Sequence, residues 1–344
     1  FRAAEASTIF AVATAGLFPL IHMGRFWTVY YTLPYPNGRE LWPNFRSPLV
    51  WDVIAISTYL TVSAVFFYVG LIPDIAAARD RAEPGLKKWA LKILSLGWLG
   101  SLRQWKHYGA AYVLFAALAT PLVVSVHSVV SWDFAMSDVP GWHTTIFAPY
   151  FVAGAILSGL AMVICLLIPL RKVFKVEHII RGYHLEGMAK LTVAVSLIVG
   201  YAYGVEFFIA WYAGNPFEQA IFLYRPTGDY AVQFWIMVVC NTVVPLAFLF
   251  KKVRGSLAGL FTVAVLINVG MWFERFNIIA TSLSHEFMPH TWGLYSMTWV
   301  EYAIMAGSFG MFFLLYLSFI KVLPSISVAE VKESMPHPVK GGDA

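Results

Sequence analysis

A histidine closing one apolar run and an aspartate opening the next, His22 and Asp52, are the residues in this chain best suited to chemistry. A short Asp cannot reach far out of hydrocarbon, and His titrates near neutral pH. Together they could accept a proton from a hydroxyl group and stabilise the resulting imidazolium. They are the candidate catalytic pair. Arg25 shares a helical face with His22, three residues on, and Tyr59 and Ser63 continue the face of Asp52 at spacings of seven and eleven. His127 and Asp133 end a third apolar run. His22, Arg25, Asp52, Tyr59, His127 and Asp133 form the candidate ligand-binding set.

Further ionisable side chains lie at similar depth: Glu206, Glu274, Arg275 and Glu301. Such groups are costly inside a bilayer and usually face a bundle interior or a wet cavity. These four are candidates for proton transfer. The competing reading for Arg25, Asp133, His143 and Glu301 is snorkelling to the interface, and for Glu274 and Arg275 a structural ion pair.

A cavity lined by His, carboxylates, Tyr and aromatics suits an amphipathic aromatic ligand. A quinone fits, because its two ring oxygens need hydrogen bonds and change protonation on redox. Haem fits less well. Among nine His, His22 and His127 lie clearly inside apolar runs, and no two runs each carry a pair of His. A single haem between those two stays open; the two-haem b-type pattern is absent. Cys165 and Cys240 each stand alone in an apolar run, with no CxxC. An iron–sulfur cluster or structural zinc held by this chain alone is therefore not expected, and no metal site is assigned.

The elements that position these groups are membrane spans. Hydrophobic residues make up 59% of the chain and charged residues 12%, against about 25% charged in soluble domains. Eight long apolar runs occur, at roughly 5–33, 48–74, 106–131, 145–170, 187–213, 229–250, 255–281 and 296–321. The expected fold is an all-α polytopic transmembrane bundle. The basic loop at 171–184 divides it into a first four-helix bundle, 1–170, and a second, 171–321, followed by a partly disordered polar cytoplasmic tail, 322–344. Basic residues concentrate in alternate loops: seven in 75–106, four in 171–184 and three in 251–254. The positive-inside rule puts these loops and both chain ends in the cytoplasm. The net charge of +5 is thus an orientation signal, and nucleic acid is not an expected partner. Leu86, Trp89, Ala90, Ile93 and Leu94 recur at helical spacing, opposite Lys87, Lys88 and Lys92. They predict an amphipathic helix at about 85–100 on the inner lipid surface, as a passive brace or an anionic-lipid contact. The chain opens on Phe1, and an upstream stretch carrying further spans is expected.

The run His22-Met23-Gly24-Arg25, then Ser47-Pro48-Leu49-Val50-Trp51-Asp52, resembles the NrfD/polysulfide-reductase-type membrane subunits. The longer WDVIAISTYLTVSAVFFYVGLIPD and the later GMWFERFNII look more like the NrfD-like subunits of alternative complex III, closest to the ActC type. The resemblance covers essentially the whole chain. It implies an eight-span bundle in a bacterial cytoplasmic membrane, without a haem or iron–sulfur cluster of its own. It further implies oxidation of quinol, in particular menaquinol, near the outer face at His22 and Asp52, with Asp133 as a weaker carry-over. Electrons would pass to an iron–sulfur subunit docked outside and on to c-type haem subunits, beside a homologous NrfD-like membrane subunit. Two rivals remain. A secondary transporter would hold its ionisable groups nearer the midplane. An ActF-like structural or proton-conducting anchor would have no quinone site of its own.

Overall fold

The structure is a computed structural model that describes residues 2–22, 24–323 and 326–334; the side chains of Pro19, His22, Val29, Glu333 and Ser334 fall outside that description. Among the described residues the regular elements are all helices. Hydrocarbon offers no hydrogen bonds to the backbone, so each apolar run must satisfy its own N–H and C=O groups. The helices are α1 (Arg2–Ala15), α2 (Leu17–His22), α3 (Pro48–Arg81), α4 (Leu86–Leu94), α5 (Leu102–Ala135), α6 (Phe147–Val173), α7 (Gly182–Ala213), α8 (Pro216–Thr227), α9 (Ala231–Leu249), α10 (Leu257–Ser284), α11 (Trp299–Val322) and α12 (Val328–Ser334). Among the described residues, seven of these (α3, α5, α6, α7, α9, α10 and α11) are long and apolar enough to cross a membrane. With the family evidence below, this makes the protein a multi-pass integral membrane protein.

The polytopic bundle matches expectation, but the first of the eight predicted spans does not form one rod. Residues 5–33 divide into α1, α2 and a 3-10 segment, Phe26–Thr32. Gly16 interrupts the first helix, and Pro19 offers no N–H to continue the ladder. Gly24 then adopts φ +66, a conformation that glycine enters without steric cost, and turns the chain after His22.

Packing separates the chain into two units. One comprises Phe1–Phe26, Thr58–Pro121 and Ala303–Ala344, the other Trp27–Ser57 and Leu122–Tyr302. The boundaries fall inside the 3-10 segment, α3, α5 and α11.

In the first unit a buried ion pair organises one end. Arg2 Nη2 donates to Asp74 Oδ2 at 2.5 Å and to the Gly70 carbonyl at 2.8 Å. Asp74 Oδ1 accepts from the Val328 backbone N–H at 2.8 Å, which fixes the start of α12, and Lys332 sits over the Trp105 ring at 4.2 Å. Part of the predicted tail is therefore an ordered, docked helix; residues 335–344 lie outside the description. Within the predicted 85–100 stretch, α4 forms with Leu86, Trp89 and Ile93 exposed. Tyr68 Oη, donating to the Leu94 carbonyl at 2.6 Å, ties it to α3.

The second unit holds the dense core. There α6 packs against α7 and α10, and α10 against α9. Helices approach closely where a side chain is missing: a Cβ at Gly270 of α10 would collide with Asn241 Oδ1 and lie 2.6 Å from Cys240 Cβ of α9. Small residues at such crossings let backbones pack tightly. Gly270→Ala is expected to cost about 1–3 kcal/mol, read as a lowered unfolding temperature in detergent. An unchanged temperature would contradict this close approach.

Candidate functional site

Two Trp-Asp dipeptides, Trp51-Asp52 near the start of α3 and Trp132-Asp133 near the end of α5, meet in the second unit. The Trp51 and Trp132 rings stand edge to face, with centroids 5.8 Å apart. Such aromatic pairs favour this geometry. Trp51 Nε1 also donates to the Phe45 carbonyl at 2.7 Å, which anchors the entering loop. The carboxyls of Asp52 and Asp133 lie side by side, close enough to interact directly. Like charges this close disfavour double ionisation, which suits the pair to sharing a proton. Asp52 Oδ1 and Asp133 Oδ1 are buried with no hydrogen-bond partner among the described residues. Orphaned buried oxygens of this kind call for a ligand, a water or a functional reason.

The other sequence candidates are distributed differently. His22 ends α2, but its side chain lies outside the description. Arg25 is exposed in the turn beyond it. Tyr59 hydrogen-bonds Ser63 within the first unit, whereas Asp52 belongs to the second. His127 Nδ1 lies 2.8 Å from the Val123 carbonyl one turn back, so the ring is held against its own helix. Glu301 accepts from the Thr298 backbone N–H at 2.8 Å and from the Thr298 hydroxyl, and so fastens the residue before α11 to its first turn.

Glu274 and Arg275 form a second polar centre. Glu274 is fully buried; its Oε2 accepts from Tyr203 Oη at 2.5 Å and its Oε1 lies 3.4 Å from Arg275 Nη2. Asn241 Nδ2 donates to Tyr203 Oη at 2.8 Å, and the buried Tyr150 ring stands edge to face with Tyr203 at 5.6 Å. The Arg275 guanidinium covers the Phe151 ring at 4.0 Å. Two π-helical turns lie beside this centre. One, Val239–Val243, carries Asn241; the other, Asn277–Thr281, begins two residues after Arg275. Such single-turn bulges re-aim side chains and recur at functional sites. Glu206 lies apart from this centre, 3.9 Å from Arg225 Nη1, with both side chains buried. Arg225 also donates to the Gly141 carbonyl at 3.2 Å, while Glu218 accepts the Gly141 N–H at 2.8 Å. Burial pushes the Glu218 carboxyl above the usual range, opposed by that N–H and by Arg225.

Sequence pattern pairs Asp52 with His22 and does not show the direct Asp52–Asp133 contact. The repeated Trp-Asp dipeptide is the signal that could have found it. Nor does the pattern show Tyr203 and Asn241 as partners of Glu274. Spacing along one helix says nothing about which face of a neighbour it meets, so only an Asn inside an apolar run hints at them.

Comparison with known proteins gives the same class. The sequence model of the NrfD polysulphide reductase family matches residues 2–285. A provisionally named membrane component of dimethyl sulfoxide reductase from Halobacterium salinarum is 28% identical over 274 residues, which is 78% of this chain and 58% of that protein. An Hdr-like menaquinol oxidoreductase integral membrane subunit of Archaeoglobus fulgidus is 24% identical over 252 residues, 67% of this chain and 63% of that protein. The chain thus spans about three-fifths of the length of either relative.

Proposed function

The chain belongs to the NrfD polysulphide reductase family, and from that premise we propose that it is the quinol-oxidising membrane subunit of a multi-subunit oxidoreductase. The observation that carries this reading is the adjacent Asp52–Asp133 pair, in which Oδ1 of each carboxyl is buried with no donor among the described residues. The donor set fits a quinol hydroxyl. A shared-proton acid pair offers acceptor oxygens to bind the hydroxyl and can take up its proton, and a pair acting together disperses the charge. Quinol supplies two protons and two electrons when it is oxidised. In this chain Asp52 and Asp133 orient the hydroxyl and receive a proton, and Trp51 and Trp132 hold the two carboxyls together. His127, on the same helix as Asp133, is a further contact. Glu206, Glu274, Arg275 and Glu301 serve proton transfer.

The relative from Archaeoglobus fulgidus is named for menaquinol, which supports menaquinol as the substrate. The basic loops support an orientation with loops 75–106, 171–184 and 251–254 in the cytoplasm. Asp52 and Asp133, at the opposite ends of their helices from loop 75–106, then lie near the outer face. Electrons leave to an iron–sulfur subunit docked there. The ActC-like motifs support an alternative complex III setting in a bacterial cytoplasmic membrane, with c-type haem subunits and a homologous membrane subunit as further partners. Native purification followed by subunit identification and quinone extraction tests the reading. Menaquinone co-purifying with an iron–sulfur subunit is the expected result. A complex that holds no quinone and oxidises no quinol would overturn it in favour of a structural anchor.

A further inference from the structure

A cavity of about 550 Å³ opens in the second unit between the end of α10 and the loop that precedes α11. Its volume falls in the range of roughly 300–1,000 Å³ typical of small-molecule sites. Trp272 and Phe276 form one wall, with nearly parallel rings 5.9 Å apart and 18° between their planes. Tyr295 lies on the loop side, and its backbone N–H donates to Tyr230 Oη at 2.7 Å, so that loop is pinned to the helical core. Arg275 is the one charged residue in the lining. Its side chain is about a third exposed, although it neighbours the buried Glu274.

The chemistry of the lining selects the ligand. Arg275 is neutralised locally by Glu274, 3.4 Å away, and the lining holds no other cation. A phosphate headgroup would bring a negative charge to a site with no net positive charge to receive it. A neutral carbonyl oxygen asks only for one N–H, and a guanidinium carries five. The flat aromatic wall suits a planar ring, and the apolar remainder suits a hydrocarbon tail. We propose that this cavity is a second quinone-binding site, separate from Asp52 and Asp133, in which the exposed part of the Arg275 guanidinium donates to one quinone carbonyl and Trp272 and Phe276 line one side of the ring. The proposal rests on the quinone-linked reading above.

Photolabelling of the intact, purified complex with an azido-naphthoquinone tests it. Labelled peptides are mapped in the parent and in two variants. Gly293→Phe adds bulk to the cavity lining, at a position where a Cβ meets nothing within 4 Å. Arg275→Lys keeps the charge beside Glu274 but loses the planar donor fork. The expected result is label on the 272–297 segment as well as near Asp52. Both variants should lower the 272–297 label by about tenfold or more, as expected for loss of a site or of one hydrogen bond from a charged donor, and leave the Asp52-side label intact. Label near Asp52 alone would overturn the second site and leave the functional reading standing. Label on 272–297 that persists in Gly293→Phe would overturn the cavity as its location. Absence of label from the whole chain would overturn both readings.

Discussion

Replacing Asp133 by Asn in the intact complex is expected to slow quinol oxidation by roughly 10²–10⁴-fold, the usual contribution of a positioned acid–base group. Asn has the shape of Asp but cannot take up a proton. Asp133 lies beside Asp52, so neither carboxyl acts alone. Asp52→Asn should therefore cost about as much, and the double variant little more than either, because residues that act as a unit are not additive. The edge-to-face contact of Trp51 and Trp132 does not involve the carboxyls, so subunit assembly should survive all three changes. Steady-state rates with a reduced naphthoquinone, normalised to assembled complex, check this. Losses that multiply would show two independent residues and contradict the shared site.

Glu274 separates structure from proton transfer. Its carboxylate accepts from Tyr203 and Asn241 in the dense core of the second unit and lies beside the partly exposed Arg275. Glu274→Leu leaves the buried donors without their acceptor. Each unsatisfied buried donor costs about 1–3 kcal/mol, so this variant should unfold at a clearly lower temperature or fail to accumulate. Glu274→Gln keeps an oxygen for Tyr203 and similar volume, and should lose only about 1–2 kcal/mol. It cannot carry a carboxyl proton, however, and turnover should fall by about tenfold or more if Glu274 relays protons. A stable Glu274→Gln complex with parental turnover would reduce Glu274 to a structural tie between α7, α9 and α10.

The class of fold is legible in the sequence because lipid imposes one simple demand: long apolar runs must be helices. Runs such as 145–170 and 187–213 need no tertiary information. The first run misleads because hydropathy sums over residues and does not register that Gly16 and Gly24 permit breaks. The docked helix at Val328–Ser334 is hidden because its start depends on Asp74, more than two hundred residues away. At the site, the cost of burying Asp52 marks it from composition alone. Its partnership with Asp133 is not readable, since that depends on which faces of α3 and α5 meet. The same holds for Tyr203 and Asn241 around Glu274, where π-helical turns shift the helical phase that any 3.6-residue periodicity assumes.

The central claim is that Asp52 and Asp133 hold one proton between them and take up another from quinol. Redox-induced infrared difference spectroscopy of the intact complex, with aspartate carboxyls isotopically labelled, observes that group itself. The account predicts a protonated-carboxyl C=O band that shifts with the label, changes on quinol oxidation, and is lost in both Asp52→Asn and Asp133→Asn. A difference spectrum with no aspartate carboxyl band, or one whose band persists in both variants, would contradict it.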